Sequence, residues 1–165
     1  RSATSHLSAL PDGAFLAVNI SPATVLMPEL EVALRDLPHD RIVLEITEQI
    51  LIANYDAIRA ALAPLRALGV RVAIDDAGAG HSSLRHIFQL EPDLIKFDMS
   101  LTRGINADPV RQAMIDALVG FAAKTGSAII AEGVETEAEL QCLRTLNVGF
   151  AQGYHLGRPA PLEPS

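Results

Sequence analysis

In Val70-Arg71-Val72-Ala73-Ile74-Asp75-Asp76-Ala77-Gly78-Ala79-Gly80 an apolar, β-branched run stops on two adjacent carboxylates and a glycine-rich turn. The apolar part reads as a buried strand, and the glycines let the backbone turn tightly and come close to a ligand. Asp, Gly and Ser are also ordinary turn residues, so an N-cap and a turn would explain one of the aspartates. They do not explain two, because adjacent carboxylates repel unless a cation lies beside them.

The pattern recurs on both sides. Leu16-Ala17-Val18 runs into Asn19, Ile42-Val43-Leu44 into Glu45, and Leu94-Ile95 into Lys96 and Asp98. Ala128 to Ala131 ends in Glu132, and Val148-Gly149-Phe150-Ala151 in Gln152. Between the strands lie helical segments. A short helical or turn segment opens at Ser21-Pro22 and reaches roughly Leu37, and helices cover Tyr55–Leu68 (stopped by Gly69), Ser82–Leu90, Asp108–Thr125 (stopped by Gly126) and Glu135–Leu146. Successive strand ends fall about 20–36 residues apart, the spacing of βαβ units and hence of a largely parallel sheet. Six strands suit an open doubly wound sheet or a (β/α) barrel lacking two of its eight units. In either, the carboxyl ends of the strands share one mouth, where catalytic groups gather.

Composition narrows the function. The 165 residues suit one domain, and 49% hydrophobic with 4% aromatic residues suits an aliphatic α/β core. A net charge of −7 with no Lys/Arg run argues against gripping a long nucleic acid. A small phosphate ligand stays compatible where bound cations reverse the local charge. The single cysteine, Cys142, excludes an internal disulfide or a cysteine metal cluster and reads as a core-filling thiol. No apolar run nears the ~20 residues of a membrane helix. The five histidines lack metal-ligand spacing and read as structural or surface groups; only His81 lies beside the acidic turn.

Glu45 sits within Ile42–Thr47, a strand expected to be apolar on both faces, so it needs a cation, a metal or a proton. A salt bridge to a neighbouring strand would also satisfy it. Lys96 could steady a phosphate oxygen or an attacking water, or pair with a nearby carboxylate. Glu132 is a candidate base or metal ligand; Glu48 props a loop or caps a helix, and Glu135 suits a helix N-terminus. All-oxygen ligands favour Mg²⁺, Mn²⁺ or Ca²⁺, and a pair of such ions would activate water for in-line attack at phosphorus. The residues alone therefore point to a metal-dependent phosphohydrolase. Gly78-Ala79-Gly80 also starts a dinucleotide-binding pattern, but Ser83 stands where its third glycine belongs.

Asn19-Ile20-Ser21-Pro22, Leu44-Glu45-Ile46-Thr47-Glu48, Asp75-Asp76-Ala77-Gly78-Ala79-Gly80, Ile95-Lys96-Phe97-Asp98, Ala131-Glu132-Gly133-Val134-Glu135-Thr136 and Gln152-Gly153-Tyr154 follow in this order. Together they resemble the EAL-domain cyclic di-GMP phosphodiesterases, a bacterial second-messenger family, from about Phe15 to Pro161. The resemblance implies a TIM-barrel-like fold and hydrolysis of cyclic di-GMP to a linear dinucleotide, with Mg²⁺ or Mn²⁺ at a two-metal site. By motif, Asn19, Glu45, Asp75, Asp76 and Asp98 are similar to metal ligands, Lys96 to the lysine holding the catalytic water, and Glu132 to the base or a ligand. Glu48 resembles a loop anchor, Gln152 a wall of the site, and Glu135 a supporting carboxylate. The resemblance further implies a homodimer, sensory or cyclase domains upstream, and a cytoplasmic site in a parent protein open to membrane anchoring.

Two departures stand out. The Glu-Ala-Leu signature, which lies upstream of the Asn motif in the family, is absent; Glu137-Ala138-Glu139-Leu140 has the wrong order and a helical place. Residues 1–165 thus read as the C-terminal portion of an EAL domain without its first two strands, and as such weak or inactive. Ala77, Ala79 and His81 also replace the frequent Phe, Thr and Tyr. The alternative is a degenerate EAL domain serving as a cyclic di-GMP receptor or a protein-interaction module.

Overall fold

The computed structural model describes residues 11, 13–47, 52–78 and 83–160. Six strands form one parallel sheet: β1 (Leu16–Asn19), β2 (Ile42–Thr47), β3 (Arg71–Ala77), β4 (Leu94–Phe97), β5 (Ala128–Ala131) and β6 (Phe150–Ala151). Every strand lies beside its neighbours in sequence, in the order β1-β2-β3-β4-β5-β6. A doubly wound sheet reverses its strand order at a switch point, and this one does not. The sheet is therefore the curled wall of a TIM-barrel-like fold, open along β1 and β6.

The helices cover its outer side. In α1 (Pro22–Val25) Ser21 Oγ accepts from Thr24 N at 3.1 Å. The helical or turn segment expected from Ser21 to Leu37 is two short helices, because Pro28 holds Met27 extended (φ −84°, ψ 128°) and starts α2 (Pro28–Leu34) afresh. Asn54 caps α3 (Tyr55–Ala67), and α4 (Ser83–Leu90) follows the acidic turn. Asp108 Oδ1 accepts from Val110 N and Arg111 N to start α6 (Pro109–Thr125), and Gly126, at φ 76°, ends it. The last helix, α7 (Glu137–Thr145), starts two residues later than its sequence suggests, because Thr136 and Glu139 form a reciprocal capping box. Between β4 and α6 stand a four-residue helix, α5 (Met99–Thr102), and a 3₁₀ turn, Ile105–Ala107, both too short for periodicity to mark.

Side chains alternate across the sheet. Leu44, Ile46, Val72, Ile74, Ile95, Phe97, Ile129 and Ala131 face the helices and join the main core with Ile58, Leu62, Ile115 and Leu143. The other face buries a smaller cluster of Val43, Ala73, Leu94 and Ile130, with Phe15 and Ala128 against it. Two residues further along the same strands stand Glu45, Asp75, Lys96 and Glu132. The period of two thus stacks an ionic layer on an apolar one at the carboxyl ends of β2 to β5.

Candidate functional site

Lys96 is the centre of that ionic layer and is 7% exposed, beside Glu45 at 6%. Its Nζ lies 3.1 Å from Glu45 Oε2, 2.8 Å from Asp75 Oδ1 and 2.9 Å from Glu132 Oε1. The salt-bridge reading of Glu45 and the phosphate-side reading of Lys96 thus meet in one group. Burial raises the Glu45 carboxyl above its ordinary range, and the Lys96 charge and hydrogen bond only partly offset it. Burial raises Glu132 in the same way against Lys96. For Lys96 burial acts in the opposite direction, yet its contacts with Asp75 and Glu132 win and the ammonium is held above its ordinary value. Three acidic groups around one cation leave the layer short of positive charge.

Adjacent strand residues normally face opposite sides, yet Asp75 and Asp76 converge. The β3–β4 register shifts between Ile74 and Ala77, and Asp76 sits at φ 57°, in the left-handed region. This irregularity turns the second carboxylate towards the first. Oxygens of Asp75, Asp76 and Glu132 lie within 4.8 Å of one another, close enough to hold one cation between them. Asp75 Oδ1 is buried against Lys96 Nζ at 2.8 Å but without hydrogen-bond alignment, so the ammonium neutralises this oxygen only in part. The donor set is all oxygen, which fits a hard divalent ion.

The other predicted residues surround this centre. Asn19 ends β1 in register with Glu45 and is exposed at the open edge. Asp98 lies past β4; it caps α5, with Oδ1 accepting from Ser100 N at 2.8 Å, and although burial pushes its carboxyl up, the Ser100 side chain and the Ser100 and Met99 backbone N–H groups together hold it below the ordinary range. Gln152 Nε2 donates to Glu132 Oε1. Glu135 precedes α7 rather than starting it, and pairs with Arg103. Glu48, Ala79 and His81 lie outside the described residues. Of the remaining histidines, His86 is buried with Nδ1 2.7 Å from the Tyr55 hydroxyl, and His155 pairs with Glu137.

A cavity of about 610 Å³ opens beside the cluster, bounded by Asp76, Asp98, Glu132, Glu135 and Gln152. Met99, Arg103 and Arg158 also line it and were not expected from the sequence, since they lie in short or irregular segments without periodicity. The Arg158 guanidinium stacks 4.8 Å from the Tyr154 ring centre, giving the far wall a cationic, aromatic surface. Gly133, at φ 69°, lets that wall close: an added Cβ would stand 2.6 Å from Met99 Cβ.

The family model described as EAL domain matches residues 1–159. A cyclic di-GMP phosphodiesterase of Borreliella burgdorferi is 32% identical over 88% of this chain and 23% of its own length. A bifunctional diguanylate cyclase/cyclic di-GMP phosphodiesterase of Pseudomonas aeruginosa is 36% identical over 77% of this chain and 18% of its own. Among solved structures, an EAL domain protein from Listeria monocytogenes superposes with a TM-score of 0.87 at 28% identity, covering 97% of this chain and 66% of that one. Klebsiella pneumoniae BlrP1, in a manganese/cyclic di-GMP complex, gives 0.85 at 31% identity over 96% of this chain and 42% of that one. The first curated relatives are matched over only 19% to 31% of their lengths.

Proposed function

The chain belongs to the EAL domain family, and on that premise we propose that its strand-end cluster serves metal-dependent hydrolysis of cyclic di-GMP to a linear dinucleotide. The observation that carries the reading is the convergence of Glu45, Asp75, Lys96 and Glu132 from four strand ends, with Asp76 beside them. Asp75, Asp76 and Glu132 would hold a divalent cation, Mg²⁺ or Mn²⁺, with Asn19, Glu45 and Asp98 completing a two-metal site. Bound there, the cations would lower the pKa of water and polarise the phosphoryl oxygens.

The chain's own groups do the rest. Lys96 orients the attacking water, and Glu132 or a neighbouring carboxylate takes its proton. The water oxygen bonds to phosphorus, one P–O bond of the ring breaks, and the leaving ribose oxygen takes up a proton. Gln152 holds Glu132 in place, and the Arg103, Tyr154 and Arg158 wall receives the nucleotide. Residues 1–165 form the C-terminal portion of the EAL barrel in this reading. The open β1 edge beside the exposed Asn19 is where two further strands would close the barrel and complete the ligand set. Upstream sensory or cyclase domains, a homodimer and a cytoplasmic place belong to the same proposal; among the described residues no helix is long and apolar enough to cross a membrane.

The test is cyclic di-GMP hydrolysis with Mg²⁺ or Mn²⁺, comparing this chain with one extended upstream by two βα units. Turnover is expected in the extended protein and abolished there by Asp75→Asn. Near-parental turnover by Asp75→Asn would overturn the metal assignment. Binding without linear product would favour the receptor reading.

A further inference from the structure

Glu139 lies on α7, behind the cavity wall, and is 5% exposed. Oε2 accepts from Glu135 N at 2.9 Å and Thr136 N at 3.0 Å, the ordinary work of a capping box. Oε1 does something a cap does not require: it accepts at 2.8 Å from the backbone N–H of Gly104, 35 residues away. Gly104 sits at φ 68°, directly after Arg103 and before the 3₁₀ turn. The two oxygens therefore join two separate segments. One follows β4 and carries Asp98, Met99 and Arg103; the other follows β5 and carries Glu132, Gly133 and Glu135. On the cavity side the same segments touch through the Arg103–Glu135 pair and the approach of Gly133 to Met99.

We propose that Glu139 is a positioning residue for the cavity: its carboxylate bridges Gly104 to Glu135 and Thr136 and so sets the spacing of the two segments that form the wall. Both sides of the bridge are N–H donors, so the position needs two acceptor oxygens. A glutamine has one, which can serve the cap or Gly104 but not both, and its amide then faces a donor. The surrounding backbone donors hold the Glu139 carboxyl below the ordinary range despite its burial, in keeping with a charged bridge. The inference rests on the cavity being the nucleotide site proposed above.

The experiment compares Glu139→Gln with Thr136→Ala in the upstream-extended protein. Thr136→Ala removes the other half of the cap, the Glu139 N to Thr136 Oγ bond, and leaves the bridge to Gly104. Glu139→Gln is expected to raise KM for cyclic di-GMP about tenfold with a smaller fall in kcat, because Glu132 stays tied to Lys96 and Gln152 while the Arg103 side of the wall shifts. Thr136→Ala should leave KM within about twofold. Equal KM in both variants, or an unchanged KM in Glu139→Gln, would overturn the proposal. If the parental protein does not turn over cyclic di-GMP, the function has failed rather than the bridge, and the Met99 methyl resonance decides. A shift in Glu139→Gln but not in Thr136→Ala supports the bridge, and no difference between them overturns it.

Discussion

Lys96→Met removes the ammonium that touches one buried and two partly buried carboxylates while roughly keeping the volume of the stem. The carboxylate side chains are 8%, 14% and 16% exposed for Glu45, Asp75 and Glu132, so solvent screens them weakly. Removing one partner of a buried ion pair costs about 3–5 kcal/mol, because the other charge is left uncompensated. For a chain of this size that corresponds to a fall in Tm of about 6–20 °C, at ~2–4 °C per kcal/mol. The loss should depend on pH with a definite sign. Glu45 and Glu132 have raised carboxyl pKa values even beside Lys96, so the folded protein takes up their protons more readily than the unfolded chain does. Folded stability from these groups therefore rises as pH falls through their raised folded values towards the ordinary 4.5. The Lys96 contribution is complete at any pH below its ordinary 10.5 and fades only above that. The deficit of Lys96→Met should thus be large at pH 7.5 and shrink towards pH 5. Thermal melts in chelator at the two pH values measure it, and millimolar Mn²⁺ should restore part of the loss at pH 7.5 by supplying the missing positive charge. A Tm fall below about 2 °C, or one equal at both pH values, would refute the account of Lys96 as the counter-ion of this layer.

Gly153→Ala should cost about 3 kcal/mol or more, since an added Cβ would stand 2.2 Å from Val134 O and 2.3 Å from Val134 N, and backbone gives way less easily than a side chain. Chemical denaturation gives the size of that loss, and a weaker Mn²⁺ affinity is expected with it as Gln152 moves away from Glu132. Tyr55→Phe deletes the hydroxyl 2.7 Å from buried His86 Nδ1 and should cost about 1–3 kcal/mol in the same assay; a neutral result would mean that the α3–α4 contact does not depend on this bond.

The strands were legible because each combines β-branched apolar residues with a polar terminus. Ile42–Thr47 and Leu94–Phe97 fall where the sequence puts them, while β5 spans Ala128–Ala131 and leaves Glu132 just beyond its end. The choice between a barrel wall and a doubly wound sheet was not legible in periodicity and came only with the motif resemblance. It depends on strand order, which is set by pairing between strands and leaves no mark on the hydropathy of any one of them. Helix lengths came out well where a cap residue or a glycine marks the end, as at Asp108 and Gly126. They were left open around Met27-Pro28, where a proline that starts one helix also ends the segment before it.

The site divides along the same line. Glu45, Lys96 and Glu132 were visible because a charge two residues beyond an apolar side chain on a buried strand has few innocent explanations. Asp98 was equally visible, yet its carboxylate caps α5, a helix of four residues that no period could announce. Arg103 carried no signal and Glu139 only that of a capping box, because the contacts that place them in the wall reach more than 30 residues away: Glu135 for the arginine and Gly104 for the glutamate. The ionic layer is thus a local product of strand alternation, whereas the wall beside it is a product of long-range contacts. A change in the strand-end cluster should therefore alter chemistry and metal binding, and a change in the wall should alter which ligand is held and how tightly.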